Sequence, residues 1–189
     1  MLRLTELAHA ALRAVLQPGE TAIDATAGNG HDTRFLAELV GPTGRVFAFD
    51  IQPVALANTA NLIRGLDHVT LLHRDHAELR DAIPREHHGK VTAVMFNLGY
   101  LPGGEKTIVT RSDPTLRAIN AALELLRVGG VLSVLAYTGH PGGAEEAYAV
   151  AKLLGELSPA NFEVREERGE HDSVSAPHLF VVHKRLSGG

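Results

Sequence analysis

Short apolar runs alternate with amphipathic segments along most of this chain, and this alternation constrains its fold more than any other feature. From residue 20 to residue 157, each run with strand character is followed by a segment whose apolar residues recur at helical spacing. Strands that alternate with helices form parallel sheets covered on both faces. The last two apolar segments, 162–164 and 179–182, have no helical segment between them, so we expect an antiparallel hairpin there.

The predicted fold is α/β and Rossmann-like, with helices on both faces of a seven-stranded, mostly parallel sheet that ends in an antiparallel C-terminal hairpin. The strands predicted before the hairpin are 20–25, 45–50, 69–72, 91–96 and 131–137. The predicted helices are 4–16, 31–40, 53–64, 76–83, a segment from the Ser112-Asp113-Pro114 cap to Gly129-Gly130, and 144–157. Because its 189 residues contain no repeat or linker, we expect a single domain over 1–189.

The composition excludes several classes of protein. The chain has no cysteine, which excludes disulfides, thiolate catalysis and cysteine–zinc sites. Its 11 histidines are scattered without a His-Glu-x-x-His pair, so we expect no metal site. No apolar run reaches the roughly 20 residues of a membrane span, and the N-terminus has no signal-peptide pattern, so we expect a cytoplasmic protein without a membrane partner. The net charge of −4 argues against broad nonspecific binding of nucleic acid, although a local basic patch is compatible with it.

A turn with two glycines follows the first predicted strand. Gly28 and Gly30 let the backbone approach a small molecule closely, because neither residue has a Cβ. Asp50 ends the next apolar run, roughly 20 positions past the turn, where an acidic residue can bind the ribose hydroxyls of a nucleoside ligand. The spacing therefore predicts a cofactor that contains a nucleoside.

The charges around this turn discriminate between two such cofactors. A dinucleotide site has a third glycine where this chain has Thr33, and it binds a pyrophosphate, which Asp24 and Asp32 would repel. S-adenosylmethionine (SAM) instead has a sulfonium and an ammonium, which carboxylates attract. The pattern favours SAM; the alternatives are a dinucleotide and an ordinary strand–helix turn without a ligand.

Polar or glycine-rich segments follow the predicted strands, and ligands of open α/β sheets bind beyond the carboxyl ends of the strands. Asp50 is expected to accept hydrogen bonds from ribose, and Asp75 and His76 to meet the adenine. For His31, Asp32 and Gln52 the alternative role is that of polar residues at a helix start. The segments in question are Asp24–Gly30, Asp50–Gln52, His73–His76, Asn97–Tyr100 and Tyr137–His140.

Asn97-Leu98-Gly99-Tyr100 follows the fourth predicted strand and resembles the Asn/Asp-Pro-Pro-Tyr/Phe motif of amino-group methyltransferases in its first and fourth residues. The carbonyl oxygen of Asn97 can hold the N–H of an amine, and the Tyr100 ring can stack on a base. Asn97 is not a base at neutral pH. An alkylamine with a pKa of about 10 must therefore lose its proton first, to water or to Asp75, His76 or His140, among which the sequence does not decide. A purely structural turn is the alternative.

Several long strings together resemble one family, the small bacterial methyltransferases of the MnmM/YtqB type, once labelled rRNA methylases. The resemblance covers roughly residues 20 to 185, nearly the whole chain. The strings that establish it are Asp24–Thr33, Phe35–Ala37, Phe49–Gln52, Phe96–Lys106 and Gly139–Gly143.

The resemblance implies a class I methyltransferase fold and SAM-dependent N-methylation of tRNA. The implied substrate is 5-aminomethyluridine, often 2-thiolated, at the wobble position of the anticodon stem-loop, and the product is 5-methylaminomethyl-(2-thio)uridine. It also implies SAM contacts at Asn29, Asp32, Asp50, Gln52, Asp75 and His76, and a substrate loop from Asn97 to Lys106. A homodimer is compatible with a domain of this size.

Strand ends and resemblance together define three sets of candidate residues. The candidate catalytic residues are Asn97 and Tyr100. The candidate cofactor-binding residues are Asp24, Thr26, Gly28, Asn29, Gly30, His31, Asp32, Asp50, Gln52, Asp75, His76 and Asn97. The candidate substrate-binding residues are Leu98, Gly99, Tyr100, Pro102, Gly103, Gly104, Lys106, Arg111 and His140.

The chain departs from the family pattern at two places. Relatives have a Gln/Asn-rich stretch and Pro-Pro before the last strand, whereas residues 172–178 of this chain keep one proline, Pro177, and no amide. If that stretch touches the anticodon loop, substrate recognition has changed. Asp75 is acidic where relatives carry a smaller polar residue, which weakens its assignment to adenine.

Two other functions remain open. The first is SAM-dependent methylation of another RNA site, such as one in rRNA, or of a small-molecule amine. The second is a SAM- or RNA-binding module without catalysis. Lys106 and Arg111, together with Arg74, form the basic surface expected near the site, whereas the mixed charges of 165–170 indicate a solvated face.

Overall fold

The computed structural model describes residues 3–105, 107–168 and 176–186. Across these ranges the strands are β1 Thr21–Asp24, β2 Arg45–Asp50, β3 Val69–His73, β4 Val91–Leu98, β5 Leu126–Ala136, β6 Phe162–Arg168 and β7 His178–Lys184. The helices are α1 Leu4–Arg13, α2 His31–Val40, α3 Pro53–Leu62, α4 Leu79–Ala82, α5 Ser112–Leu125 and α6 Gly143–Gly155. Short 3₁₀ turns occupy His76–Glu78 and Arg85–His87.

The described strands form one seven-stranded sheet in the order β3-β2-β1-β4-β5-β7-β6. Strands β1 to β5 run parallel to one another, and β7 runs antiparallel to both β5 and β6. The mostly parallel sheet with an antiparallel C-terminal hairpin, predicted from the alternation, is confirmed. The strand order reverses between β1 and β4, and ligands of such sheets bind in the crevice at that point.

Both faces of the sheet are buried, as the near-continuous apolar composition of its central strands requires. One core contains Phe49, Phe96 and Phe180 and is covered by α4, α5 and α6. The other contains Leu36 and Met95 and is covered by α1 and α2. The two layers fix the ends of the strands and so fix the loops that follow them.

Two of the differences from the predicted boundaries arise because strand pairing overrides local signals. Gly129 and Gly130 do not end a helix: α5 ends at Leu125 and β5 starts at Leu126, inside the segment predicted as helix. The register of β4 against β5 shifts between Val91 and Ala93, and Gly129, with φ of 76°, lies in the part of β5 that accommodates the shift. Strand β4 also continues to Leu98, two residues beyond the predicted end, because its neighbour β5 pairs with it that far.

Smaller differences concern helix α5 and the charged run near the C-terminus. Arg111, not Ser112, is the N-cap of α5, and Ser112 is its first helical residue. The charged run that begins at Arg165 forms the exposed half of edge strand β6. Residues 172–175 of the divergent segment lie outside the described residues. None of the helices in the described part of the chain is long and apolar enough to cross a membrane.

Candidate functional site

A cavity of about 1030 Å³ opens at the carboxyl ends of the strands, across the point where the strand order reverses. Seventeen of the residues singled out from the sequence line it. These are Thr26, Gly28, Asn29, His31, Asp32, Asp50, Gln52, Asp75, His76, Asn97, Leu98, Gly99, Tyr100, Pro102, Gly103, Arg111 and His140. Their individual contacts with a ligand stay predictions; the structure places them around one space.

Asp50 is oriented by the backbone of the glycine turn. The amide of Gly28 donates a 2.9 Å hydrogen bond to Asp50 Oδ2, and the amide of Gln52 donates one of 2.8 Å to Oδ1. A carboxylate oxygen can accept more than one hydrogen bond, so both oxygens retain capacity for further donors from the cavity. The arrangement suits a pair of neighbouring hydroxyl groups.

Asp24 differs from its predicted role. It is 1 % exposed and does not line the cavity. Its carboxyl group accepts hydrogen bonds from the amide of Thr26 at 3.1 Å and from Thr33 Oγ1 at 2.6 Å. Burial, reinforced by the negative charge of Asp32, raises the pKa of Asp24 to about 7. Asp24 therefore supports the glycine turn from behind and has no direct access to a ligand, because β1 ends with this side chain directed into the protein.

Gly30 and Gly104 also lie outside the cavity lining, and Lys106 lies outside the described residues. A Cβ on Gly30 would be 2.8 Å from the Cα of Thr59, so this glycine allows α3 to pack against the turn. A Cβ on Gly104 would be 2.9 Å from Leu101 Cδ2. Both glycines allow close packing, and their predicted contacts with a ligand stay predictions.

His76 and Asp75 follow strand β3 at the cavity wall. His76 is buried and lies edge-on to Phe96, with the ring centroids 5.8 Å apart. Burial lowers its pKa below the ordinary value of 6.5, so the imidazole is neutral at neutral pH. Asp75 Oδ1 accepts a 2.8 Å hydrogen bond from the amide of Ala77 and caps the 3₁₀ turn. The pair combines a neutral ring with a half-exposed carboxylate, which suits a planar polar ligand group.

Asn97 is held on both its backbone and its side chain. Its amide N–H donates to Thr26 Oγ1 at 2.7 Å, which ties the tip of β4 to the turn after β1. Its side-chain Nδ2 donates to Asp32 Oδ2, and Asp32 Oδ1 in turn contacts His9 Nε2 at 2.6 Å. Because Nδ2 is committed to Asp32, the side-chain carbonyl oxygen of Asn97 is the group left for a ligand donor.

Three ring side chains border the side of the cavity that lies away from the glycine turn. Tyr100 and Tyr137 are 41 % and 44 % exposed, large fractions for aromatic residues that line a cavity. The ring of His140 stands edge-on to Tyr100 at 6.2 Å. A Cβ on Gly99 would lie at an ordinary contact distance, 3.7 Å, from both His140 Nε2 and Tyr137 Cβ, so this peptide lies beside both side chains. Exposed aromatic rings of this kind provide a stacking surface for a nucleobase.

Glu146 connects the wall of this half of the cavity to helix α6. It is 1 % exposed and accepts 2.6 Å hydrogen bonds from Thr110 Oγ1 and Thr115 Oγ1. The amide of Thr110 donates to the carbonyl of Gly99, which closes the loop between β4 and α5. The buried carboxylate thus fixes this loop to two helices.

Two residues that support this site, Glu146 and His9, were not predicted from the sequence. Glu146 was detectable, because it occupies the buried stripe of α6 with Val150 and Leu154, where an acidic residue is out of pattern. His9 gave no such signal, since nothing local connects helix α1 with the tip of β4. Among the described residues, no group of three or more His, Asp or Glu is arranged to hold a metal ion.

Comparisons with known proteins identify the family of this chain. A family model described as "Putative rRNA methylase" matches residues 46–183. The chloroplastic tRNA (mnm(5)s(2)U34)-methyltransferase of Arabidopsis thaliana is 42 % identical over 159 residues, which are 78 % of this chain and 57 % of that protein. This chain therefore spans little more than half the length of that curated relative.

Two solved structures are similar over nearly the whole of both chains. A putative rRNA-methylase from Clostridium thermocellum has a TM-score of 0.91 and 38 % identity, with 97 % of this chain and 98 % of that chain covered. A putative methyltransferase from Streptococcus mutans, in complex with SAH, has a TM-score of 0.85 and 34 % identity, with 97 % and 99 % covered. The predicted class I methyltransferase fold is confirmed.

Proposed function

The chain belongs to the family described as "Putative rRNA methylase", and we propose that it is a SAM-dependent N-methyltransferase that acts on an amine of tRNA. One observation supports this most directly. Asp50, oriented by backbone amides, and Asn97, with its carbonyl oxygen free, face the same cavity from strands on either side of β1. A nucleoside cofactor and an amine can therefore meet in that cavity.

The residues around the glycine turn fit SAM. Asp32, Asp50 and Asp75 line this part of the cavity, against one nearby cation, Arg74. Carboxylates attract the sulfonium and ammonium of SAM and repel a pyrophosphate. Asp50 would hold the ribose, and the neutral ring of His76 would lie beside the adenine. SAM supplies an electrophilic methyl group to a nucleophile placed in line with its sulfur.

Asn97 would position the amine. Its carbonyl oxygen accepts an N–H of the substrate, so that the nitrogen lone pair is directed at the methyl carbon. The new N–C bond forms as the S–C bond breaks, and the electron pair of that bond stays on sulfur. The amine must give up its extra proton before the transfer, and an amide side chain does not accept a proton at neutral pH. Desolvation in the cavity favours the neutral amine.

His140 is the strongest of the three candidate proton acceptors named from the sequence. Its Nε2 is buried without a hydrogen-bond partner among the described residues, and it lies beside Gly99 on the substrate side. Asp75 lies on the side of the cavity proposed for the cofactor, and burial lowers the pKa of His76, which makes its ring a weaker proton acceptor. We assign His140 the role of accepting the amine proton as the loop adjusts around the substrate.

The substrate that we propose is 5-aminomethyl-(2-thio)uridine at the wobble position of tRNA, converted to the 5-methylaminomethyl form. The name of the Arabidopsis relative supports this choice. Tyr100 and Tyr137 offer stacking surfaces for the uracil ring, and Arg111 and Arg74 offer cations for the anticodon backbone. Methylation of an rRNA amine is the second candidate, favoured by the description of the family.

The test is to incubate the purified protein with methyl-labelled SAM and with tRNA that lacks this modification, then to identify the nucleoside product by mass. We expect one methyl group on the 5-aminomethyl nitrogen. Asn97→Ala should bind SAM almost unchanged and lose activity by about 10²-fold. Full activity of that variant would contradict the positioning role. Labelling of rRNA but not of tRNA would select the second candidate, and SAM binding without transfer to any amine would indicate a binding module.

A further inference from the structure

We propose that His9 is a positioning residue that acts through Asp32 on the Asn97 side chain. The inference rests on the proposed function, in which the Asn97 carbonyl oxygen holds the amine. His9 lies on α1, before every motif of the site, and no expected contact with cofactor or substrate involves it.

The three side chains form a continuous chain of hydrogen bonds. His9 Nε2 lies 2.6 Å from Asp32 Oδ1, and Asn97 Nδ2 donates to Asp32 Oδ2. An ionised carboxylate only accepts hydrogen bonds, so both neighbours must donate to it. His9 therefore carries its proton on Nε2. The Asn97 amide is fixed in the one orientation that turns its carbonyl oxygen away from Asp32.

Packing holds the His9 ring in this position. It stacks on Phe35 with the ring centroids 3.8 Å apart and an interplanar angle of 7°. The guanidinium of Arg13 lies over Phe35, 5.4 Å from its centroid. The side chains of His9 and Asp32 are 29 % and 13 % exposed, unlike those of a freely moving surface pair. The ring is thus a rigid support for one oxygen of Asp32.

Without His9, the rotamer of Asp32 would lose this support. Within the described residues, His9 and Asn97 are the two side chains that hydrogen-bond to the Asp32 carboxylate. An Asp32 side chain free to rotate would release the Asn97 amide, which could then present its NH₂ group to the amine. An NH₂ group in that place repels the N–H of the amine. Removal of His9 should therefore lower kcat more than it weakens substrate binding.

The kinetic test compares two replacements of His9. His9→Met keeps the apolar bulk over Phe35 without a donor, and His9→Gln restores an N–H. We expect kcat to fall about 10- to 100-fold in His9→Met, with KM for tRNA within about threefold and SAM affinity reduced less than kcat. In His9→Gln, kcat should recover partly. In the double variant with Asn97→Ala, His9→Met should cause no further loss. Additive losses, or full activity of His9→Met, would overturn the proposal.

A second readout does not depend on activity. The side-chain amide signals of Asn97, assigned by their disappearance in Asn97→Ala, should shift and exchange faster in His9→Met than in the wild-type protein. His88→Met is the matched control, because His88 is also half-buried and contacts a backbone oxygen, Ile83 O, at 3.0 Å but lies away from the cavity. Unchanged Asn97 signals in His9→Met would overturn the positioning role. If the wild-type protein methylates no amine, the proposed function fails, and the amide signals still decide whether His9 orients Asn97.

Discussion

The amide of Gly28 donates a 2.9 Å hydrogen bond to the carboxylate of Asp50, so the glycine turn after β1 and the acidic end of β2 form one unit. The amide of Gln52 holds the other oxygen at 2.8 Å. Each oxygen faces a backbone donor, so the carboxylate is oriented before any ligand binds. The position of the glycine turn and the orientation of the Asp50 carboxylate therefore depend on each other.

Asp50→Ala should abolish SAM binding, because the ribose would lose charge-assisted hydrogen bonds of about 1.5–3 kcal/mol each. Asp50→Asn should lose nearly as much SAM affinity. One of its amide hydrogens would face the N–H of Gly28 or Gln52, so the turn itself would be disturbed. Calorimetric titration with SAM measures both effects. Asp81→Asn, an exposed change on α4, is the control. SAM affinity of Asp50→Ala equal to that of the wild-type protein would remove Asp50 from the ribose role.

Asp24 should make the stability of the free protein fall as pH rises. Its folded-state pKa is about 7, above the ordinary value of 3.8, so between these values the unfolded chain releases a proton that the folded protein keeps. The loss of stability is absent below pH 3.8 and complete above about pH 7. Asp24→Asn should therefore be more stable than the wild-type protein at pH 8, by up to about 4 kcal/mol, and equally stable near pH 4. Urea unfolding at several pH values measures the difference, and a difference independent of pH would contradict the assignment.

The same carboxyl group should couple SAM affinity to pH. A cation bound beside the turn favours ionised Asp24, so binding below pH 7 releases a proton and affinity should rise between pH 6 and pH 8. Calorimetric titration at the two pH values should show the rise in the wild-type protein and little of it in Asp24→Asn. If SAM affinity rises equally with pH in Asp24→Asn, the proton released on binding comes from a group other than Asp24.

Gly30→Ala and Gly65→Ala form a matched pair that separates backbone strain from packing. Both glycines have positive φ, 86° and 85°. A Cβ on Gly65 meets nothing within 4 Å, whereas a Cβ on Gly30 would be 2.8 Å from Thr59 Cα. We expect Gly65→Ala to cost about 1–2 kcal/mol of unfolding free energy and Gly30→Ala about 1–3 kcal/mol more. Equal losses in chemical denaturation would show that α3 moves away without cost.

Arg111→Ala should weaken tRNA binding in a salt-dependent way. Arg111 lines the cavity at the N-terminus of α5, where its guanidinium can neutralise a phosphate. Its removal should lower the slope of log affinity against log salt by about one. Arg117→Ala, an exposed change on the same helix outside the cavity lining, is the control. A loss of affinity with an unchanged slope would indicate a contact other than a phosphate.

The sequence alone was sufficient for the fold class and for most of the residues that line the cavity. Alternation of short apolar runs with amphipathic segments predicts parallel strands, and carboxyl ends of parallel strands share one edge of a sheet. Residues as distant in sequence as Gly28 and Tyr100 could therefore be assigned to one site. Boundaries such as the start of β5 could not be predicted, because pairing with β4 outweighs the local glycine signal.

Only the tertiary structure decided which polar residues face the cavity and which support it from behind. Asp24 and Asp32 lie eight positions apart in the same motif, yet the first is buried and the second lines the cavity. His9 and Glu146 reach the site from helices at opposite ends of the chain. The spacing of apolar residues predicts which face of each separate segment is buried. Side-chain partners that are distant in sequence depend on how helices pack on the sheet, which no single segment encodes.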